Sequence, residues 1–144
     1  MARILFGGPQ EKERDHPISV HDNLVARLRA EGHIVDYETR GDLMMGRLAA
    51  PGIPSLHVPY HLVMYDTGLF YDESNLQARS ELFRTFAIGA LNLAKAPVIV
   101  LADQEIAGLI QVDCKHSGFR QINQPYEIAF VINQVYDALE SHEQ

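Results

Sequence analysis

The feature that most limits how this chain can fold is a set of short apolar runs separated by helical patterns. Ile4-Leu5-Phe6 ends at Gly7-Gly8-Pro9, and Ile34 to Tyr37 follows Gly32. Leu62 to Tyr65 ends at Asp66, and Val98 to Leu101 follows Pro97. The second and third runs are near-continuous and the fourth is wholly apolar, the pattern of strands covered on both faces in a parallel sheet. A weaker fifth strand is expected from Phe119 to Asn123, stopped by Pro125. Between the strands, Val20, Leu24 and Leu28 recur every four residues before a stop at Gly32. Leu76 to Leu93 is a long helical pattern, in which Gly89 costs about 1 kcal/mol relative to alanine and favours a bend or an early end. A shorter helix is expected from Glu105 to Val112, and another short one from Gly41 to Leu48. The stripe Ile128, Val131, Ile132, Val135 and Leu139 marks a final helix from Tyr126 onward. Pro51, Gly52, Pro54 and Pro59 make Leu48 to Tyr60 an irregular loop. The alternation predicts an α/β chain wound into a doubly wound sheet, with active groups at the carboxyl ends of the strands.

Composition narrows the function classes. A chain of 144 residues with no compositional break is expected to form one domain, 1–144, with a core that needs neither metal nor disulfides. The formal charge of −7 argues against direct, sequence-independent nucleic-acid binding. The lone Cys114 excludes an internal disulfide and a cysteine-based zinc site. No apolar stretch approaches the roughly 20 residues of a membrane span, and Met1 to Phe6 is too short for a signal peptide. The expectation is a cytoplasmic protein.

Asp66 ends the third strand, where this architecture binds ligands. The segment Tyr60-His61-Leu62-Val63-Met64-Tyr65-Asp66 resembles the third strand and phosphoacceptor aspartate of response-regulator receiver domains, the CheY-like superfamily. Pro97 to Ala102 resembles the fourth receiver strand, and Gly118 to Glu127 the fifth strand with its Lys-Pro-aromatic ending. The separation of Ala102 from Gln124 also matches. The resemblance covers nearly the whole chain and implies a flavodoxin-like, five-stranded parallel sheet of order 2-1-3-4-5 with helices on both faces.

The departures from that family decide the functional reading. A receiver carries an acidic pair after the first strand to hold magnesium; here those places are Gly7 and Gly8. Magnesium needs hard oxygen ligands, and one aspartate holds it poorly. The hydroxyl that follows the phosphoryl group is replaced by Ala102, and the lysine that stabilises phosphoryl charge by Gln124. Gln121 stands at the aromatic switch position, with Phe119 two residues away on the same strand face. Of the functional positions only Asp66 survives. The resemblance therefore implies an atypical receiver, a signalling domain without a cofactor that acts through protein contacts and independently of aspartate phosphorylation. Its partner or homodimer surface would be the fourth helix, fifth strand and last helix, with Phe119, Phe130 and Tyr136 as interface candidates. Phe130 and Tyr136 lie off the main apolar stripe and have an alternative in packing on neighbouring loops.

Two other readings compete. Glu11, Glu13 or Asp15, in a long loop after Gly8, could swing toward Asp66, restore a magnesium site and make a conventional phospho-accepting receiver. After Asp66, Asp72 and Glu73 would add carboxylate repulsion, and Ser74 could cap the next helix. Separately, Arg3 to Pro9 looks like the opening of nucleoside deoxyribosyltransferases and related nucleotide N-glycosidases. Their nucleophilic glutamate would fall at Ala87, with Glu81 too early to replace it. His16 and His21, and His57 and His61, lack a helical metal-pair context, and no base can be named for Cys114. The expectation is therefore a domain that is not an enzyme.

Overall fold

A computed structural model describes residues 2–8, 20–49, 60–70 and 75–143. Five strands form one parallel sheet in the order β2-β1-β3-β4-β5: β1 is Arg3–Gly7, β2 Ile34–Glu38, β3 Leu62–Asp66, β4 Val98–Ala102 and β5 Arg120–Asn123. The helices are α1 (Val20–Ala30), α2 (Gly41–Ala49), α3, α4 (Gln104–Ser117) and α5 (Ile128–Glu143). Helix α3 runs as three consecutive pieces, α-helical Leu76–Leu82, a π-helical Phe83–Ala87 and α-helical Ile88–Leu93.

The expected sheet and its order are present, and side-chain alternation divides the core in two. Ile4, Phe6, Leu62, Met64, Ile99 and Leu101 point to one face and pack with Leu24, Leu28, Val131 and Val135 of α1 and α5. Leu5, Val63, Tyr65, Val98 and Val100 point to the other, under Met44, Phe83, Leu91 and Ile106 of α2, α3 and α4. β3 and β4 are buried at every residue, as their sequences predict. β2 differs: it is the sheet edge, Ile34 is exposed, and Val35 alone is buried.

Several local expectations are corrected. Gly89 does not end α3, which continues to Leu93; the departure from α geometry is the π segment before it. Among the described residues the cap of α3 is Asn75, whose side chain accepts from the Gln77 and Ala78 amides at 2.8 and 3.2 Å, while Ser74 lies outside them. Helix α4 is longer than Glu105–Val112. It runs to Ser117 and stops at Gly118, whose φ of 75° suits glycine. The stretch from 50 to 59 lies outside the described residues.

Candidate functional site

Asp66, Gly7, Gly8, Ala102 and Gln124 lie at or just beyond the carboxyl ends of β3, β1, β4 and β5. Asp66 ends β3, a central strand flanked by β1 and β4, and is 2% exposed. Its Oδ1 accepts the Gly68 amide at 2.7 Å, an Asx turn that starts the 3-10 turn Thr67–Phe70. The buried carboxylate thus shapes its own loop.

The space at the end of β1 is filled from α2. A Cβ on Gly7 would overlap the Met44 sulfur and lie 3.2 Å from Leu69 Cδ2. Methionine, flexible and unbranched, occupies the space that an acidic side chain at position 7 would need. Gly8 is buried, and its amide donates to the Glu38 carbonyl at 3.0 Å. Glu11, Glu13 and Asp15 lie outside the described residues.

At the end of β4, Ala102 is fully buried, and its carbonyl accepts the Gln124 amide at 2.9 Å. The Gln124 side chain hydrogen-bonds the Tyr126 hydroxyl. Burial, and after it the nearby Asp66 carboxylate, push that hydroxyl well above the usual tyrosine range, with the Gln124 bond acting in the opposite direction. The residue at the lysine position therefore serves a tyrosine beside Asp66. The Gln124–Pro125 peptide is cis.

A cation does enter this edge, from α3, a position that sequence reasoning missed. Arg79 is 7% exposed. Its Nη2 donates to the Thr67 carbonyl at 3.0 Å and to Asp103 Oδ2 at 2.8 Å. The Asp103 amide in turn donates to Thr67 Oγ1 at 3.1 Å. Asp103 holds the N-cap position of α4, yet its carboxylate makes no cap bond, because it is turned to Arg79. Asp103 directly follows Ala102 and could have been noticed on that ground; no local pattern marks Arg79 as inward-facing.

On the neighbouring face, Gln121 donates from Nε2 to the Ala107 carbonyl of α4 at 3.0 Å and to Asn123 Oδ1 at 2.7 Å. Its own amide oxygen is buried without a hydrogen-bond partner among the described residues. Phe119 is partly buried against the α4 side of the core. Phe130 is 51% exposed, and Tyr136 39%. Tyr136 is nonetheless engaged: it donates to Glu31 Oε2 at 2.6 Å and meets His33 Nε2 at 2.9 Å. The N-glycosidase position, Ala87, is fully buried on the inner side of α3, and Glu81 is exposed.

The described residues do not fit a magnesium ion. No group of three or more His, Cys, Asp or Glu side chains among them could hold a metal, and Asp103 is tied to Arg79. No described helix is long and apolar enough to cross a membrane.

No family model matches the sequence, and no curated protein matches it. Solved structures do match. The regulatory domain of the repressor of iron transport regulator RitR, in its inactive form, is 16% identical over 98% of this chain and 97% of that one, with a TM-score of 0.63. A CheY-like receiver domain protein from Methanospirillum hungatei JF-1 is 14% identical over 99% and 97%, TM-score 0.60. An adenylate cyclase structure from Rhodopirellula baltica is 11% identical over 99% and 90%, TM-score 0.65. At such identities the likeness is one of fold, and the fold is that of receiver domains, a flavodoxin-like doubly wound sheet.

Proposed function

We propose that this chain is an atypical receiver-like signalling domain that acts through protein–protein contacts without phosphorylation of Asp66 and without a bound metal. The observation that carries this reading is the filled position next to Gly7, the β1 residue that pairs with Tyr65 one residue before Asp66. Met44 takes the space next to Gly7, so the place that would carry a magnesium ligand holds a thioether. Phosphoryl transfer is catalysed almost entirely by positioning and charge neutralisation, and here Ala102 and Gln124 supply neither the hydroxyl nor the cation at the resembling positions. The reading assigns the output to the surface of α4, β5 and α5, where Phe130 is exposed, with a protein partner or a second copy as its target and no direct contact with nucleic acid or membrane. A cytoplasmic setting belongs to the same reading, and the single cysteine is a buried free thiol.

The test is chemical. The protein is incubated with magnesium and acetyl phosphate, a small phosphodonor, and its intact mass is followed beside Asp66→Asn. An unchanged mass in both supports the reading. A phosphoryl adduct on the wild type that Asp66→Asn lacks overturns it, and would assign a ligand role to the acidic loop of Glu11, Glu13 and Asp15.

A further inference from the structure

We infer that Arg79 is a positioning residue that permanently couples the Asp66 turn to the α4–β5 surface, a coupling built from the chain's own charges; its role as a substitute for phosphoryl-driven coupling rests on the reading above. Three hydrogen bonds join the ends of β3 and β4. Arg79 Nη2 donates to the Thr67 carbonyl and to Asp103 Oδ2, and the Asp103 amide donates to Thr67 Oγ1. Thr67 adjoins Asp66 and begins the 3-10 turn that the Asp66 carboxylate holds through Gly68.

The same contacts reach α4. Asp103 is its N-cap residue, and the Asp103 carbonyl accepts the Ala107 amide at 2.9 Å. One residue, Ala107, carries the link onward, because its carbonyl accepts from the Gln121 side chain of β5. Residues of the turn after β3, of α3, of α4 and of β5 thus share one continuous polar path.

Two features separate this from incidental pairing. Arginine is rarely buried without a partner, since a charge leaves water only at high cost, and Arg79 is placed inward where its guanidinium reaches two loops at once. An aspartate at an N-cap ordinarily bonds its own helix amides; the Asp103 carboxylate is spent on Arg79 instead. Helix α4 is therefore anchored by the clamp at the point where it would otherwise be anchored by itself.

The experiment uses the whole chain with neither phosphodonor nor metal, so its outcome is independent of whether Asp66 accepts phosphate. Amide NMR spectra and hydrogen exchange are compared for Arg79→Gln, Asp103→Asn, Thr67→Val, and the conservative Arg79→Lys. The clamp predicts that the first three move the amides of Gly68, Ala107 and Gln121 along common directions, and that Arg79→Gln with Asp103→Asn moves them no further than either alone. It predicts exchange of the Asp103 amide faster by about tenfold or more while Val63 and Val100 stay protected, with partial return in Arg79→Lys. Shifts confined to residues 67, 79 and 103, or additive effects in the double variant, would overturn it. Should Arg79→Gln fail to fold, Thr67→Val decides alone: a silent Gln121 contradicts the coupling.

Discussion

Gly7 and Met44 fit each other as a pair. With no Cβ at position 7, the Met44 thioether lies against β1 and meets Leu69 below it. Gly7→Ala should destabilise the fold by no more than about 1 kcal/mol, because the atoms it meets are the ends of the Met44 and Leu69 side chains. Adding Met44→Ala should recover part of that loss, a non-additivity that denaturant titration of the two single variants and the double would measure. Cys114 illustrates burial acting on a titratable group. Burial first, and then the neighbouring Asp113, push its thiol from 9.0 up to about 12. The folded state therefore favours the neutral thiol, and the stability it contributes is complete below pH 9 and lost as pH rises toward 12. Tyr65 and Tyr126 are displaced in the same direction, chiefly by burial, and steepen the alkaline loss. Denaturation followed from pH 8 upward should show stability falling, with a shallower fall in Cys114→Ala, and the native thiol should resist alkylation near neutral pH. Asp66 was legible in the sequence because a carboxylate follows an unbroken apolar run. Arg79 was not, because an arginine in an amphipathic helix looks solvent-facing until its partners on two other loops are known.

Elements bury what their patterns promise, with exceptions that have physical causes. β2 looks apolar but is an edge, and its polar residues take up the exposed side of the sheet. Asp36 accepts from Arg3 at 3.3 Å and from the Tyr60 hydroxyl at 2.9 Å, and Glu38 accepts from Arg47 at 2.6 Å. Helix α4 runs past Val112 because Cys114 continues the buried face of Ile106, Ala107 and Ile110, and it ends at Gly118 in the left-handed region. The π turn of α3 had no sign in the sequence. Tyr136 shows the choice between interface and scaffold. Its hydroxyl joins α5 to the turn between α1 and β2 through Glu31 and His33, and the His33 ring also accepts the Ala2 amide on Nδ1 at 3.0 Å. Tyr136→Phe should cost about 0.5–1.5 kcal/mol in urea unfolding, and loosen α1 against α5 by hydrogen exchange. A cost near zero would return Tyr136 to the set of free surface aromatics, where Phe130 stands.

At the scale of the molecule, a parallel sheet with a two-sided core follows from the apolar runs, because strands covered on both faces need helices above and below, whereas the strand order was implied only by the family resemblance. What the sequence could not display is how the strand ends are lined, since Met44 meets Gly7 from α2, Arg79 meets Thr67 from α3 and Tyr126 comes near Asp66 from the loop before α5. The net charge of −7 does not oppose a contact between copies if the contact is apolar and local. If the α4–β5–α5 face pairs two copies, Phe130→Glu should turn a dimer into a folded monomer in sedimentation velocity, with a Tm that no longer depends on protein concentration; a monomeric wild type would direct the search to another protein.

The central claim is that Asp66 sits in a crevice that neither binds magnesium nor accepts a phosphoryl group. Amide NMR during titration with magnesium and beryllofluoride, a mimic of phosphoryl-aspartate, tests it most directly. The account predicts no change at Asp66, Gly8, Ala102 and Gln124 in a protein whose spectrum is otherwise well dispersed. Saturable shifts at those amides, abolished in Asp66→Asn, would contradict it.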